Sequence, residues 1–196
     1  MDSYLVSLLV LLLFIACFGG LSLLRREPRS ARFALESLVL GGAIVGLAWT
    51  TRTPLSPLAF FLVLYLVAMR SRLLVEVANL LARQGRISAA LRLYAWALRL
   101  AGDATSRVVV QVNRAAALLL GGRVAEVVTL LEGVLAPGHG LGIKWEAAAH
   151  YNLGQAYVRQ GQTGLGRAQF HEVIALLPGS PYAQHAARAL ERLRSA

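Results

Sequence analysis

Four histidines, one cysteine and ten carboxylates are the side chains of this chain from which a metal site or a general acid–base pair would first be sought. Their spacing does not assemble such chemistry. His139 falls in a glycine-rich loop, His150 and His171 in different predicted helices, and His185 near the carboxyl end, so no pair has the separation of metal ligands. Cys17 lies inside an uncharged run, which leaves neither a disulfide framework nor a zinc or redox motif. The chain contains no GxxxxGK[ST], HExxH or GxSxG pattern. The 7 acids from Arg70 onward are scattered and do not pair as general acid and base. The prediction is a non-enzymatic chain with no cofactor, no metal site and no small-molecule substrate.

Binding is the remaining way for these residues to act, and one stretch has the spacing for it. It reads His150-x2-Leu153-Gly154-x2-Tyr157, then Gly161, Phe170 and Pro178. This resembles the tetratricopeptide signature W-x2-L-G-x2-Y, A-x3-F, P, with His150 in place of Trp and Gly166 in place of Ala. The resemblance covers about the last 120 residues. It implies stacked helix pairs whose first helices line a groove for another protein. On that alignment the groove residues are Arg72, Val75, Glu76, Asn79 and Arg83, then Val109, Val112, Asn113, Ala116 and Leu120, then Ala148, Tyr151, Asn152, Gln155 and Arg159. Asn79 and Asn113 match the two Asn positions of family members that clamp a terminal carboxylate. The basic positions of that clamp fall on Val75, Ala148 and Asn152, so the clamp is not carried over. The groove so drawn is apolar with amide side chains, suited to an amphipathic helix or an apolar segment.

The elements that must position these residues follow from glycine turns. Gly85-Arg86, Gly122-Arg123 and Gly161 each sit between two helical apolar patterns, 37 and then 39 residues apart (85 to 122, 122 to 161). Three repeats are expected, over about 70–102, 107–139 and 145–178. Ala90, Tyr94 and Ala97 take the small, aromatic and small positions of the first repeat's second helix. The second repeat is degenerate, with Arg114 where the family has Leu. A further helix over 181–194, opened by Pro181, would cap the last repeat's apolar face.

The first third has a different composition. Residues 4–24 are an uncharged run, and 33–51 and 56–70 are two further apolar stretches, the former carrying Glu36 near its start. A helix rises 1.5 Å per residue against a hydrocarbon core of about 30 Å, so three transmembrane helices are expected within 1–69. Pro57 to Gln84 holds no Gly and no further Pro, which predicts one continuous helix from the third span into the first repeat. Ala16-x3-Gly20 and Gly42-x3-Gly46 place small residues on one helix face for close helix packing. Glu36 is expected in the headgroup region beside Arg32. Arg25, Arg26, Arg29 and Arg32 put the first loop on the cytoplasmic side, hence the amino terminus outside and 70–196 in the cytoplasm. Tyr4 and Trp49 would then share the outer interface.

From Arg70 onward there are 15 Lys or Arg against 7 acids. The cations are scattered rather than clustered, which argues for attraction to an anionic leaflet and against nucleic acid. Arg outnumbers Lys 19 to 1 among abundant Ala, Leu and Gly, the composition of a GC-rich genome and hence of a bacterium. The expectation is an all-α protein: three transmembrane helices, then a right-handed α-solenoid of three tetratricopeptide-like helix pairs and a capping helix, in the cytoplasmic membrane. As a function it implies an adaptor or assembly factor that holds a partner protein within a membrane complex. The alternatives are a constitutive small structural subunit of a larger integral membrane complex and a non-catalytic regulator of a membrane enzyme.

Overall fold

The computed structural model describes residues 3–24, 31–53, 55–136 and 141–195 and, within them, side chains other than those of 18–33. The loop arginines Arg25, Arg26 and Arg29, the side chain of Arg32, the packing of Gly20 and His139 lie outside these. Among the described residues the chain is all-helical, with ten helices and no strand. They are α1 (Ser3–Leu24), α2 (Ala31–Thr50), α3 (Pro57–Ala68), α4 (Arg70–Arg83), α5 (Ile87–Leu100), α6 (Ala104–Leu120), α7 (Val124–Leu135), α8 (Ile143–Arg159), α9 (Thr163–Leu176) and α10 (Pro181–Ser195). Two compact units result, Met1–Leu73 and Leu74–Ala196.

In the first unit α1, α2 and α3 each pack on the other two. Leu11, Phe14, Val45, Phe60 and Leu64 form the shared core. The tight crossing is at Gly41, where a Cβ would fall 2.6 Å from Leu11 Cδ1. This corrects the packing expected of Gly42 and Gly46, at which a Cβ would meet nothing; Ala16 is likewise exposed. The direction alternates from helix to helix. The Tyr4 hydroxyl donates to Thr53 O at 3.2 Å, joining the start of α1 to the end of α2. The Arg70 guanidinium meets Glu36 Oε2 at 2.9 Å, joining the start of α2 to the end of α3. Glu36 thus has a cation from beyond α3, whereas the sequence pointed to Arg32.

This bundle is apolar on its outer surface as well as in its core. Ser7 and Ser37 are buried, while Leu5, Leu9, Leu12, Leu13, Leu35, Val39, Leu47 and Leu62 face outward. Even so, no single helix among the described residues is both long and apolar enough to cross a membrane. The apolar stretches are Ser3–Cys17 and Ala34–Thr50, and α3 reaches the length only together with α4 as a pair bent by 68°. The continuous helix expected from Pro57 to Gln84 is therefore broken. Met69 leaves helical geometry at φ −93° and ψ 5°, and its N–H turns to Tyr65 O and Val67 O. Arg70 seals the break, donating to Val67 O at 2.8 Å with one guanidinium nitrogen and to Glu36 with another. A guanidinium that bonds a carbonyl in the last turn satisfies part of the helix end, and no glycine marks the place.

The second unit repeats one construction three times. Gly85, Gly122 and Gly161 stand at φ 78°, 72° and 79°, values open to glycine and costly for other residues. Each is followed by a residue with nearly the same backbone angles: Arg86 (−82°, 57°), Arg123 (−83°, 57°) and Gln162 (−84°, 59°). That residue's N–H reaches back to the carbonyl five positions earlier, Arg86 to Leu81, Arg123 to Leu118 and Gln162 to Tyr157, at 2.9, 3.0 and 2.9 Å. This six-to-one bond closes the helix end and launches the next helix. The products are three hairpins, α4–α5, α6–α7 and α8–α9. Other ends carry polar caps: Asp103 accepts from the Ser106 N–H at 2.8 Å, and Ser180 from the Ala183 N–H at 3.1 Å, one residue before Pro181 opens α10.

The hydrophobic cores are shared among consecutive helices. Val75, Ala78 and Ala82 of α4 meet Ala90, Tyr94 and Ala97 of α5 and Val110 and Ala117 of α6. Leu118 of α6 meets Val127 and Leu131 of α7 and Leu153 and Tyr157 of α8. Ala147 of α8 meets Phe170 and Val173 of α9 and Ala186 and Leu190 of α10. The closest approach is between α8 and α9, where a Cβ at Gly154 would fall 2.7 Å from Phe170 Cε1 and one at Gly166 would fall 3.0 Å from the Gly154 carbonyl oxygen. Glycine rather than alanine at 166 lets the two backbones meet.

Two glycine substitutions should therefore act with opposite sign. Gly161→Ala places a Cβ at positive φ and should lower stability by about 1–2 kcal/mol. Gly133→Ala, inside α7 with open space around it, should raise stability by about 1 kcal/mol. Chemical denaturation of each variant beside the parent measures both, and equal effects would contradict the turn geometry.

Candidate partner-binding surface

The residues named from the signature lie on α4, α6 and α8, the first helix of each hairpin. The structure divides them into those held inside, those fastened within the fold and those left outward. Val109 and Val112 belong to the first group and are buried, as are Val75 and Ala148. Val109 and Val112 are thus corrected from groove lining to core. The reason is the position of α6, which packs against α5, α7 and α8 and keeps little free circumference.

The second group is fastened within the fold by hydrogen bonds or ring contacts. Asn79 Oδ1 accepts from the Tyr94 hydroxyl at 2.5 Å, tying α4 to α5. Asn113 donates to Val109 O at 2.8 Å, a bond within its own helix. The Tyr151 ring packs among Phe170, Tyr182 and His185 at centroid distances of 5.9, 6.2 and 6.1 Å, joining α8 to α9 and α10. Its hydroxyl receives the Gln155 amide at 3.4 Å. Arg159 donates to Leu119 O, so a cation of α8 rests on the carbonyl end of α6, where the helix dipole is negative.

The outward group is smaller. Arg83 and Leu120 are exposed, and Ala116 and Asn152 are half-buried. Since α6 packs on α8, the outward positions of these two helices are Ala116 and Leu120 of α6 and Asn152 of α8, with Gln155 and Arg159 beside them already engaged within the fold. Apolar surface beside amides that can bond a peptide backbone is able to bind an extended or helical segment. Among the described residues no three His, Cys, Asp or Glu gather as a metal site.

Three features of the region were absent from the sequence reading. The Tyr157 hydroxyl donates to Glu132 at 2.6 Å, linking α8 to α7. His150 Nδ1 meets Gln169 Oε1 at 2.6 Å, so the residue standing for Trp in the signature bridges α8 and α9 by a polar contact. Arg123 holds Glu126 through two nitrogens, one at 2.7 Å, and keeps that carboxyl below the usual range. Only the last is visible as a local i, i+3 spacing. No family model, curated protein or solved structure matches the chain.

Two phenols are pushed up to about 12 from an ordinary 10.0. Tyr94 is shifted first by burial and then by the charge of Glu76, against the opposing charge of Arg83. Tyr157 is shifted first by its hydrogen bond to Glu132, then by burial and by that carboxylate's charge. Between about pH 10 and 12 the unfolded chain has lost these protons while the folded chain keeps them, so stability falls as pH rises. The contribution is complete below pH 10 and gone above about 12. Melting temperature against pH, for the full chain in mild detergent, should decline across this window, and Tyr94→Phe should make the decline shallower. An unchanged slope in that variant would contradict the assignment.

Proposed function

We propose that this chain is a membrane-anchored protein-interaction module, an adaptor or assembly factor holding a partner protein at the cytoplasmic membrane of a bacterium. In this reading α1 to α3 sit in the bilayer with the amino terminus outside. The residues after them form a right-handed solenoid of the tetratricopeptide type in the cytoplasm. The observation that carries the proposal is the threefold recurrence of one hairpin, with the same glycine φ and the same closing bond each time. A stack of such hairpins presents a row of first helices, and the row from Ala116 to Gln155 is where a partner segment would lie. An amphipathic helix fits it, with apolar side chains against Leu120 and backbone groups toward Asn152 and Gln155.

The bilayer part is supported by the apolar outer surface of the first bundle. In water its outward leucines would stand exposed around two buried serines, an arrangement that lipid reverses into a favourable one. The backbone of α1, at 22 residues, rises about 33 Å and that of α2, at 20 residues, about 30 Å. With 12 residues α3 rises only about 18 Å, a mismatch that local thinning of the bilayer accommodates.

A second reading, a constitutive subunit of a larger membrane complex, is favoured by one observation. Gly42 and Gly46 form an open small-residue face on α2 that the bundle itself does not use, available for a helix of another subunit. Mild-detergent purification separates the two readings. The full chain and a chain beginning at Arg70 are compared, with bound proteins quantified by mass spectrometry. A partner retained by both, and reduced about tenfold or more by Leu120→Asp at the exposed end of α6, is the expected result. A partner retained only when residues 1–69 are present, and indifferent to Leu120→Asp, would replace the adaptor reading with the subunit one.

A further inference from the structure

The α4 helix carries an apolar face that the fold leaves uncovered. Leu73, Val77 and Leu80 recur at helical spacing and are 37%, 50% and 56% exposed. These three are distinct from the α4 groove positions Arg72, Glu76, Asn79 and Arg83. The other face of the same helix is fully used, with Val75, Ala78 and Ala82 buried against α5 and α6. The opposite end of the array is finished differently. There α10 turns Gln184, His185, Arg188, Glu191, Arg192 and Arg194 outward, the polar finish that a terminal repeat needs in water.

We infer that the outward face of α4 lies in the headgroup–acyl boundary of the membrane, so that α4 is an interfacial helix rather than a free first rung of the array. The inference rests on the reading of α3 as a bilayer helix. Chain continuity argues for it, because Met69 alone separates α3 from α4.

Charge agrees with the placement. Arg70 and Arg72 open α4 and Arg83 closes it, with Glu76 the only acid between them. Cations flanking an apolar face suit anionic headgroups. The ligand chemistry is thus a leaflet containing anionic lipid, with Leu73, Val77 and Leu80 as the inserted side chains.

The test uses the full chain in vesicles of phosphatidylcholine and phosphatidylglycerol, with Cys17→Ser removing the native thiol. Single cysteines introduced as Leu62→Cys on α3, Leu80→Cys or Val77→Cys on α4, and Glu172→Cys on the exposed side of α9 carry a fluorophore. Quenching by a lipid-borne quencher is compared with quenching by aqueous iodide. The expected result is strong lipid quenching at Leu62, and lipid quenching at Leu80 and Val77 several-fold above that at Glu172. Lipid quenching at Leu62 with Leu80 and Val77 no different from Glu172 overturns the inference and leaves the membrane reading standing. Leu80 and Val77 shielded from both quenchers would mean that protein covers the face, which also overturns it. No lipid quenching at any position would remove the membrane reading and the inference with it.

Discussion

A hairpin of two helices has no interior, and that constraint governs everything after Met69. Two helices touch along one line, so each hairpin has an apolar face left over. Here each such face is closed by the next helix along the chain: α6 on α4–α5, α8 on α6–α7 and α10 on α8–α9. Stability in such an array comes from neighbours more than from any one hairpin. It also explains why the turns are so uniform. A first helix must leave its partner at a set angle to reach the following hairpin, and a glycine at positive φ with a six-to-one hydrogen bond delivers that angle three times.

The same constraint limits what the array can offer a partner. A helix that closes one core and founds the next has little surface to spare, which is why Val109 and Val112 are interior. Polar groups on these helices are also drawn into fastening: Asn79 to Tyr94, Arg159 to the end of α6 and Tyr157 to Glu132. These bonds cross between helices, so they fix the spacing of the row that remains outward. Recognition is left to few residues, but to residues whose backbone positions are held by buried neighbours on both sides.

Much of this fold was legible in the residues. The glycines at 85, 122 and 161 stood between apolar patterns of helical period, and helix type and turn position followed from that. Ala90, Tyr94 and Ala97 were named as one packing set and are all fully buried. The break at Met69 was not legible, because no glycine or proline marks it. Beside it a guanidinium reaches a carboxylate 34 positions away, and a tertiary ion pair leaves no local pattern. The candidate surface was legible only as a helix face. Which residues of that face turn inward depends on how many neighbours the helix has, and α6 is packed by α4, α5, α7 and α8 while α4 has a free side. The choice between Gly41 and Gly42 as the packing glycine is a rotation of one residue, about 100° around the helix, finer than a pair of small residues can specify.

The ion pair of Glu36 with Arg70 ties these observations to the bundle before them. Both side chains are partly exposed, so in plain water the pair would add little to stability. Its effect is better judged by what Arg70 does at the same time. One guanidinium end satisfies Val67 O at the close of α3 and the other is held by Glu36 at the start of α2, so helix termination and bundle packing become one event. Replacing Glu36 removes the ion pair but leaves Arg70 its bond to Val67 O, whereas replacing Arg70 removes both, so the second change is the one that favours the continued helix past Met69 that the composition suits. A residue pair of modest energy can in this way decide between two backbone paths, because the alternatives differ by only a few hydrogen bonds at a single residue.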